Sequence, residues 1–409
     1  MDLLPLLDKG LGIEAEKSTG PGPYISLITK VTRICNLRCT YCHEWADTKS
    51  VLEFETIAHL TAKSLRVADM RSVRFIWHGG EPLVRGRDFY KKALFLQDQT
   101  RRDGQTVING LQTNGTLVDE EWARFFHDHH FEVGLSLDGP RSLHDQQRPT
   151  ADRRGSWDKA MRAVQLFREH NVPFGALIVV SDETIRLGAD AMFAFLIENG
   201  VNCFAMLHLR PESRPDGMYD PGSDYVALDR FNRYQMRMFD LWFAHNDPDI
   251  HIREFDSILS MLLGGNASVC TLAGGCIGKH FGVNVNGDIY HCDRYVSDND
   301  YRLGNIVTDD WGAIFSREEI RVLQERNRKR LAGYVDCSYL PICHGGCPHN
   351  YYIDRRSIRN FDGRCCGEAS LIAHIRQRLS ESLDGSRIGV ALTGALSTSN
   401  VNRIDVQPA

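Results

Sequence analysis

A chain of 409 residues, 42% of them apolar, is long enough for two or three domains with a real core, and it carries 48 basic against 53 acidic residues. A formal net charge of -5 gives no basic footprint for a polyanion, so nucleic acid is not the expected substrate. No basic start precedes an apolar core, and no run is long and apolar enough to span a bilayer, which points to a soluble cytoplasmic protein rather than an exported or membrane one. Twelve cysteines in such a chain suit metal ligation better than a disulfide framework, and eleven of them fall into two groups near the ends. Cys203 stands apart and reads as a buried strand residue.

Residues 1–22 form a Gly/Pro-punctuated extension. Beyond it, strands are expected at 24–31, 72–77, 106–111, 131–137, 174–180 and 202–208, and helices at 53–67, 86–100, 119–129, 157–170 and 183–199. These alternating units predict an α/β fold, a parallel sheet curling into a partial (β/α)6 barrel, because right-handed crossovers lay each helix on the outside. The loops after the strands then share the C-terminal rim, where such folds place active sites. The expected division is a barrel over 23–210, a linker with helices over 211–265, a cysteine-rich module over 266–383 and a tail over 384–409.

The rim loops carry the chemistry. Cys35-Asn-Leu-Arg-Cys39-Thr-Tyr41-Cys42 follows the first strand. Three thiolates are one short of the four that complete a cubane iron-sulfur cluster, so one iron would stay open to an outside ligand. A structural zinc site competes with that reading; it needs four ligands, and His43 would be a fourth only with awkward geometry. His78-Gly79-Gly80-Glu81-Pro82 follows the second strand, and paired glycines let backbone carbonyls approach a ligand, although this is also a common turn. Gln112, Thr113 and Asn114 end the third strand with side chains suited to a ribose or a substrate backbone, or to capping the next helix. Ser136-Leu137-Asp138-Gly139-Pro140 ends the fourth, followed by His144, Asp145 and Arg148. An arginine fork suits a carboxylate, while Asp-Gly-Pro is ordinary turn chemistry. Leu177 and Ile178 on the fifth strand offer an apolar surface.

From 210 to 224, Pro, Gly, Asp, Ser and Tyr mark a long loop, expected over the barrel mouth. Helices resume at 225–244 and 252–263. Past Gly265 helical periodicity is lost, and Cys270, Cys276, Cys292, Cys337, Cys343, Cys347, Cys365 and Cys366 follow. Asn286-Gly287 predicts a hairpin turn that presents Cys292 on the returning strand. Two zinc ribbons could use the same cysteines. Residues 368–383 read as a closing helix.

The joint order of the cysteine triad, Gly-Gly-Glu-Pro, Ser-Leu-Asp-Gly-Pro with His-Asp-x-x-Arg, and the C-terminal cysteines resembles radical S-adenosylmethionine (SAM) enzymes with a C-terminal SPASM domain, over residues 24–383. The resemblance implies that Cys35, Cys39 and Cys42 hold a 4Fe-4S cluster whose open iron chelates SAM, and that an electron cleaves SAM to a 5'-deoxyadenosyl radical. It implies that Tyr41 belongs to the signature loop and that Gly79, Gly80 and Glu81 serve the SAM amino group. It also implies that Gln112 and Asn114 lie along the cofactor, that Ser136 and Arg148 bind its carboxylate, and that Leu177 lies near adenine. Two auxiliary 4Fe-4S clusters are implied, one on Cys270, Cys276, Cys292 and Cys347, the other on Cys337, Cys343 and Cys365. The family pattern has a further cysteine where this chain has Tyr334. The second auxiliary cluster is then a thiolate short, unless Cys366 or His344 fills in, or the iron stays open for substrate.

Within the family, residues 286–295 and 301–306 resemble the anaerobic sulfatase-maturating enzymes, which oxidise a peptide Cys or Ser to formylglycine; Asp293 occupies the position of their proposed base. Its competing role is to cap a turn or pair with Arg294 or Arg302. Enzymes that cross-link ribosomally made precursor peptides share the architecture. The expectation is a peptide-modifying radical SAM oxidoreductase acting on a precursor peptide or a sulfatase, with ferredoxin or flavodoxin as reductant. A small-molecule dehydrogenase and a non-catalytic metal-cluster protein are the alternatives.

Overall fold

The computed structural model describes residues 23–42, 44–45, 50–210, 225–357 and 363–382. The N-terminal extension, His43, residues 211–224 of the loop expected over 210–224 and the expected tail lie outside the described residues. The six apolar runs become β1 (Tyr24–Thr32), β2 (Ser72–Gly79), β3 (Thr106–Thr113), β4 (Glu132–Ser136), β5 (Phe174–Val180) and β6 (Cys203–His208), parallel and paired in that order. β1 and β6 do not pair with each other, so the barrel is partial and open. Its outer face lies under helices. Val73, Phe75 and Trp77 on β2 are buried, and the Trp77 ring meets Phe89 and Tyr90 of the helix Arg87–Thr100 edge-on, with centroids 6.1 and 6.0 Å away. Side chains alternate along a strand, so Ile76 and His78 face inward and are half-buried. Register continues this inner row from strand to strand: Lys30 pairs with His78, Gln112 with Gly134, and Ser136 with Leu177.

A short β7 (His251–Ile252) extends the sheet beyond β6. The larger extension lies at the other edge. The hairpin expected at Asn286-Gly287 forms from β8 (His280–Val283) and β9 (Asp288–His291), with Gly287 in the left-handed region at φ 85°. β8 runs parallel to β1, from Ser26 opposite His280 to Thr29 opposite Val283, and β10 (Arg302–Asn305) closes on β9. The cysteine-rich segment therefore shares the barrel's sheet. The division expected at 265 is a change in chemistry along the chain, across which hydrogen bonding continues.

Four local expectations differ from the structure. The helix expected over 183–199 is two, Asp182–Leu187 and Ala189–Glu198, broken where Gly188 takes φ 90°. The segment after Ser-Leu-Asp-Gly-Pro, for which turn chemistry is the competing reading and no helix is expected, contains the helix Arg141–Gln147. Past Gly265, where periodicity is lost, the helices Glu318–Ala332 and Pro348–Ser357 form nonetheless. The first buries only Ile320, Leu323 and Arg330, too few apolar positions to print a period on its sequence. Cys203 begins β6 half-buried rather than buried.

Polar contacts fasten the C-terminal segment to the barrel. The Lys63 ammonium donates to the carbonyls of Ile306, Val307 and Asp309 at 2.8, 3.0 and 2.8 Å. Arg210, just past β6, grips both oxygens of Asp354 at 2.5 Å, with each side chain only 6% exposed. Removing one partner of a buried pair strands the other charge, at a cost of about 3–5 kcal/mol. Asp354→Ala should therefore lower the thermal unfolding midpoint clearly, whereas Glu132→Ala, which breaks the exposed pair with Arg74, should leave it nearly unchanged. Equal midpoints for the two variants would remove the Arg210–Asp354 pair as a fastener.

Candidate active site

The cysteine loop is fixed before any cluster is considered. Arg38 N–H donates to Pro149 O at 2.7 Å, Thr40 N–H to Gln147 O at 2.9 Å, and Leu37 bridges Thr150. This loop thus lies against the segment that ends in Arg148. Its three thiols act on one another electrostatically, and burial pushes Cys35 up to about 11 and Cys39 up to about 12. Backbone N–H groups of Leu37 and Glu44 point at the Cys35 and Cys42 sulfurs at 3.4 Å, while Asn114 and Arg148 approach Cys35 and Cys39 at 3.9 and 4.0 Å. Buried thiolates need a cationic partner, and N–H donors aimed at sulfur are what stabilise and tune a thiolate-bound cluster. The donor set fits a cubane. Among the described residues no three His, Cys, Asp or Glu side chains converge as they would on one metal ion, whereas a cubane spreads its thiolates over separate irons.

Gly79 and Gly80 are needed for a close approach, to the chain itself. A Cβ on Gly79 would stand 2.3 Å from Thr32 O, and one on Gly80 2.2 Å from Ile34 O. Gly80 and Glu81 N–H donate to those same two carbonyls at 2.8 Å, locking the end of β2 under the cysteine loop. The Glu81 carboxylate is wholly buried and accepts from Leu83 N–H, Thr113 Oγ1 and Asn114 N–H at 3.0, 2.8 and 2.8 Å. Burial pushes it up to about 7 against the pull of these donors. Asn114 in turn donates to Asn36 at 2.9 Å, and Gln112 to Ser136 at 3.0 Å. These residues make a scaffold from β2 through β3 to the loop.

Asp138, a turn residue by its sequence, is the hub of the next loop. Its buried carboxylate accepts from Tyr41 Oη at 2.5 Å, from Arg148 Nε and Nη2 at 2.9 and 3.2 Å, and from Val179 N–H at 3.1 Å. The bidentate grip expected of Arg148 on a ligand carboxylate closes on Asp138 instead, because a buried arginine needs a fixed counter-charge. Only Nη1 is left toward Cys39. His144, buried and lowered to about 4 by desolvation, is neutral; it accepts from Asp138 N–H at Nδ1 and meets Ser156 Oγ at Nε2. Asp145 caps the helix Trp157–Glu169 through Ser156 and Trp157 N–H.

Lys30 is the residue that sequence reasoning missed. It lies inside β1 with no exposed side-chain surface, its ammonium 2.6 Å from Asp293 Oδ1, 2.8 Å from Glu44 Oε1 and 3.2 Å from His78 Nδ1. Nδ1 of His78 also accepts from Gly79 N–H, and burial beside Lys30 lowers the imidazole, so it is neutral with its hydrogen on Nε2. Asp293 thus pairs with neither Arg294, which donates to Asn350, nor Arg302, which pairs with Asp288. Backbone shape delivers it there. Cys292 takes φ 64°, and Gly282 lies so close beneath the turn that a Cβ would stand 2.8 Å from Cys292 O and 3.0 Å from Asp293 Cα. A lysine as the one charged residue of a largely buried strand was the available signal, since lysine is almost never fully buried unpaired.

The remaining cysteines gather as two further sets. Cys347 acts on Cys270, Cys276 and Cys292, which lie close together. Cys343 lies by Cys337 and Cys366, and Cys366 by Cys365. His344 sets its Nδ1 2.7 Å from Leu272 O, which leaves Nε2 as its one remaining ring nitrogen.

Residues 29–187 match the radical SAM superfamily profile, and 275–348 match the iron-sulfur cluster-binding SPASM domain. The serine-type anaerobic sulfatase-maturating enzyme of Bacteroides thetaiotaomicron is 32% identical, over 81% of this chain and 84% of that enzyme. The chain belongs to the family of the anaerobic sulfatase-maturating enzymes. The cysteine-type relative of Clostridium perfringens is 31% identical, over 80% of this chain and 89% of its own. The solved structure of anSMEcpe with bound AdoMet and Kp18Cys peptide superposes with a TM-score of 0.77 at 27% identity, over 88% of this chain and 99% of that one. This family member is a radical SAM enzyme with a SPASM domain, using 4Fe-4S clusters and SAM.

For this radical SAM enzyme, alanine at Cys35, Cys39 and Cys42 together should abolish reductive SAM cleavage, read as 5'-deoxyadenosine release, and spare the iron of the C-terminal sets; persistent cleavage would remove the loop from the reaction. Asp138→Asn should free Arg148 and Tyr41 together. Because an unpaired buried charge costs about 3–5 kcal/mol, SAM binding should weaken at least about tenfold in equilibrium dialysis. Parental affinity would show that Asp138 organises nothing at the cofactor.

Proposed function

We propose that this enzyme oxidises a cysteine or serine side chain of a peptide or protein to formylglycine, with Asp293 as the general base. The observation that carries the reading is the place of Asp293: it directly follows Cys292, is 22% exposed, and reaches the inner face of the barrel at Lys30. It would stand between an auxiliary cluster on Cys270, Cys276, Cys292 and Cys347 and a SAM-binding cluster on Cys35, Cys39 and Cys42. Gly79, Gly80, Glu81, Gln112, Asn114, Ser136 and Leu177 would shape the SAM site, and Arg148 would offer it the Nη1 edge that Asp138 leaves over. The relatives' names, covering four-fifths of the chain, and the peptide bound in anSMEcpe support a peptide substrate. Relatives of serine and cysteine type at 32% and 31% identity favour neither residue.

When bound, SAM and the clusters would supply hydrogen-atom abstraction at the substrate Cβ and an acceptor for the electron left behind. The chain supplies the rest. Oδ1 of Asp293 is held by Lys30, so Oδ2 takes the proton from the substrate hydroxyl or thiol. A serine then yields the aldehyde directly; a cysteine yields a thioaldehyde, which water converts to the aldehyde with release of hydrogen sulfide. Formylglycine formation is preferred over cross-linking because the relatives that match four-fifths of the chain are sulfatase-maturating enzymes. A cytoplasmic ferredoxin or flavodoxin would supply the priming electron.

Asp293→Asn keeps the size and most hydrogen bonding of the residue. It should retain parental iron and SAM cleavage with candidate peptides while formylglycine, measured by mass spectrometry, falls about 10²- to 10⁴-fold. Product at the parental rate would exclude Asp293 as the base.

A further inference from the structure

We infer that the second auxiliary cluster of this enzyme has exchanged one thiolate. Cys337, Cys343, Cys365 and Cys366 hold it, Tyr334 fills the surrendered position without binding iron, and no iron is left open for substrate. The inference rests on reading the C-terminal segment as a two-cluster domain, and it departs from the family pattern at residue 334.

Tyr334 keeps the backbone of the lost ligand. Its carbonyl accepts from Cys337 N–H at 2.9 Å, closing the turn that the family builds with a cysteine pair. Its side chain does something else. The ring is 2% exposed, and a Cβ on Gly345 would stand 3.2 Å from Tyr334 Cδ2. The Arg330 guanidinium lies 5.5 Å from the ring centroid and donates to the carbonyls of Gly345 and Gly346. The phenol therefore props the turn from Cys343 to Cys347, and its hydroxyl finds no hydrogen-bond acceptor among the described residues. A phenol is also the harder donor, and cubane irons take thiolates.

The replacement comes from the other side. Gly346, at φ 66°, lets Cys366 pack directly on the same turn: a Cβ there would stand 2.9 Å from Cys366 Cβ and 3.5 Å from its Sγ. From that place Cys366 lies within hydrogen-bonding reach of both Cys343 and Cys365. Backbone N–H groups point at the neighbouring sulfurs, Gly345 at Cys343 at 3.4 Å and Gly367 at Cys365 at 3.3 Å. His344 spends Nδ1 on Leu272 O at 2.7 Å and keeps only Nε2 for a ligand, whereas Cys366 already packs on the turn. Four thiolates saturate a cubane, so this one passes electrons and cannot capture a substrate heteroatom. Substrate must then be positioned by protein groups near Asp293.

The test uses full-length enzyme reconstituted with iron and sulfide. Cys366→Ala should lose up to about four irons per chain, one cubane's worth, or convert that cluster's EPR signal to a three-iron one. Cys203→Ala and Tyr334→Phe should keep parental iron and spectrum. Tyr334→Cys placed on Cys366→Ala should restore both, which a merely misfolded Cys366 variant would not allow. Parental iron and spectrum in Cys366→Ala, or the same loss in Tyr334→Phe, would overturn the exchange. A parent holding fewer than about three cubanes would overturn the two-cluster reading itself.

Discussion

One buried ammonium organises the reacting end of this molecule. Lys30 sits on β1, and its ammonium meets Glu44 from the cysteine loop, His78 from the end of β2 and Asp293 from the C-terminal hairpin. Three segments from distant parts of the chain are brought to one point because a charge without solvent must find partners. The loop that would hold the SAM-binding cluster, the turn beneath it and the candidate base are therefore fixed by a single set of contacts. Asp293 is held by its pairing, and the His78 imidazole is lowered first by its burial and then by the same ammonium.

The sheet makes this convergence accurate. β8 adds to β1 in parallel, in a register that ends at Thr29 opposite Val283, one residue short of Lys30. The hairpin then returns along β9 to Cys292, whose left-handed backbone turns Asp293 back over Gly282. A flexible linker between two modules could not place a carboxylate within 2.6 Å of a chosen ammonium; a hydrogen-bonded ladder can. Cys292 and the barrel's inner face thus belong to one rigid frame.

What the sequence made legible was what is local. The six strands fall within two residues of their expected ends, because each is a short apolar run bounded by turn residues. The cysteine triad, Gly-Gly-Glu-Pro and the Ser-Leu-Asp-Gly-Pro segment all lie on the expected rim. What stayed illegible was partnership. Asp138 looks like turn chemistry until Arg148 and Tyr41 close on it, and Lys30 looks like a strand residue until Asp293 arrives from the far end of the chain. The pairing of β8 with β1 leaves no mark in either strand's composition. The charged helix Glu318–Ala332 was missed for another reason: with so little buried, its pattern is nearly uniform.

The charges at this junction also explain why barrel and hairpin should assemble together. Lys30 and Arg33 leave β1 side by side; Glu44 takes both, and Asp293 and Asn284 complete them from the hairpin. Two cations then face two carboxylates. Without the hairpin, Glu44 alone would face two cations, one of them fully buried, which is the costly state of an unpaired internal charge. Docking of the hairpin thus completes the electrostatics beside the cysteine loop, and β1 in turn offers Asp293, through Lys30, its only ion pair among the described residues. The candidate base and the candidate radical site depend on each other before substrate arrives, so a change at Lys30 should disturb both at once.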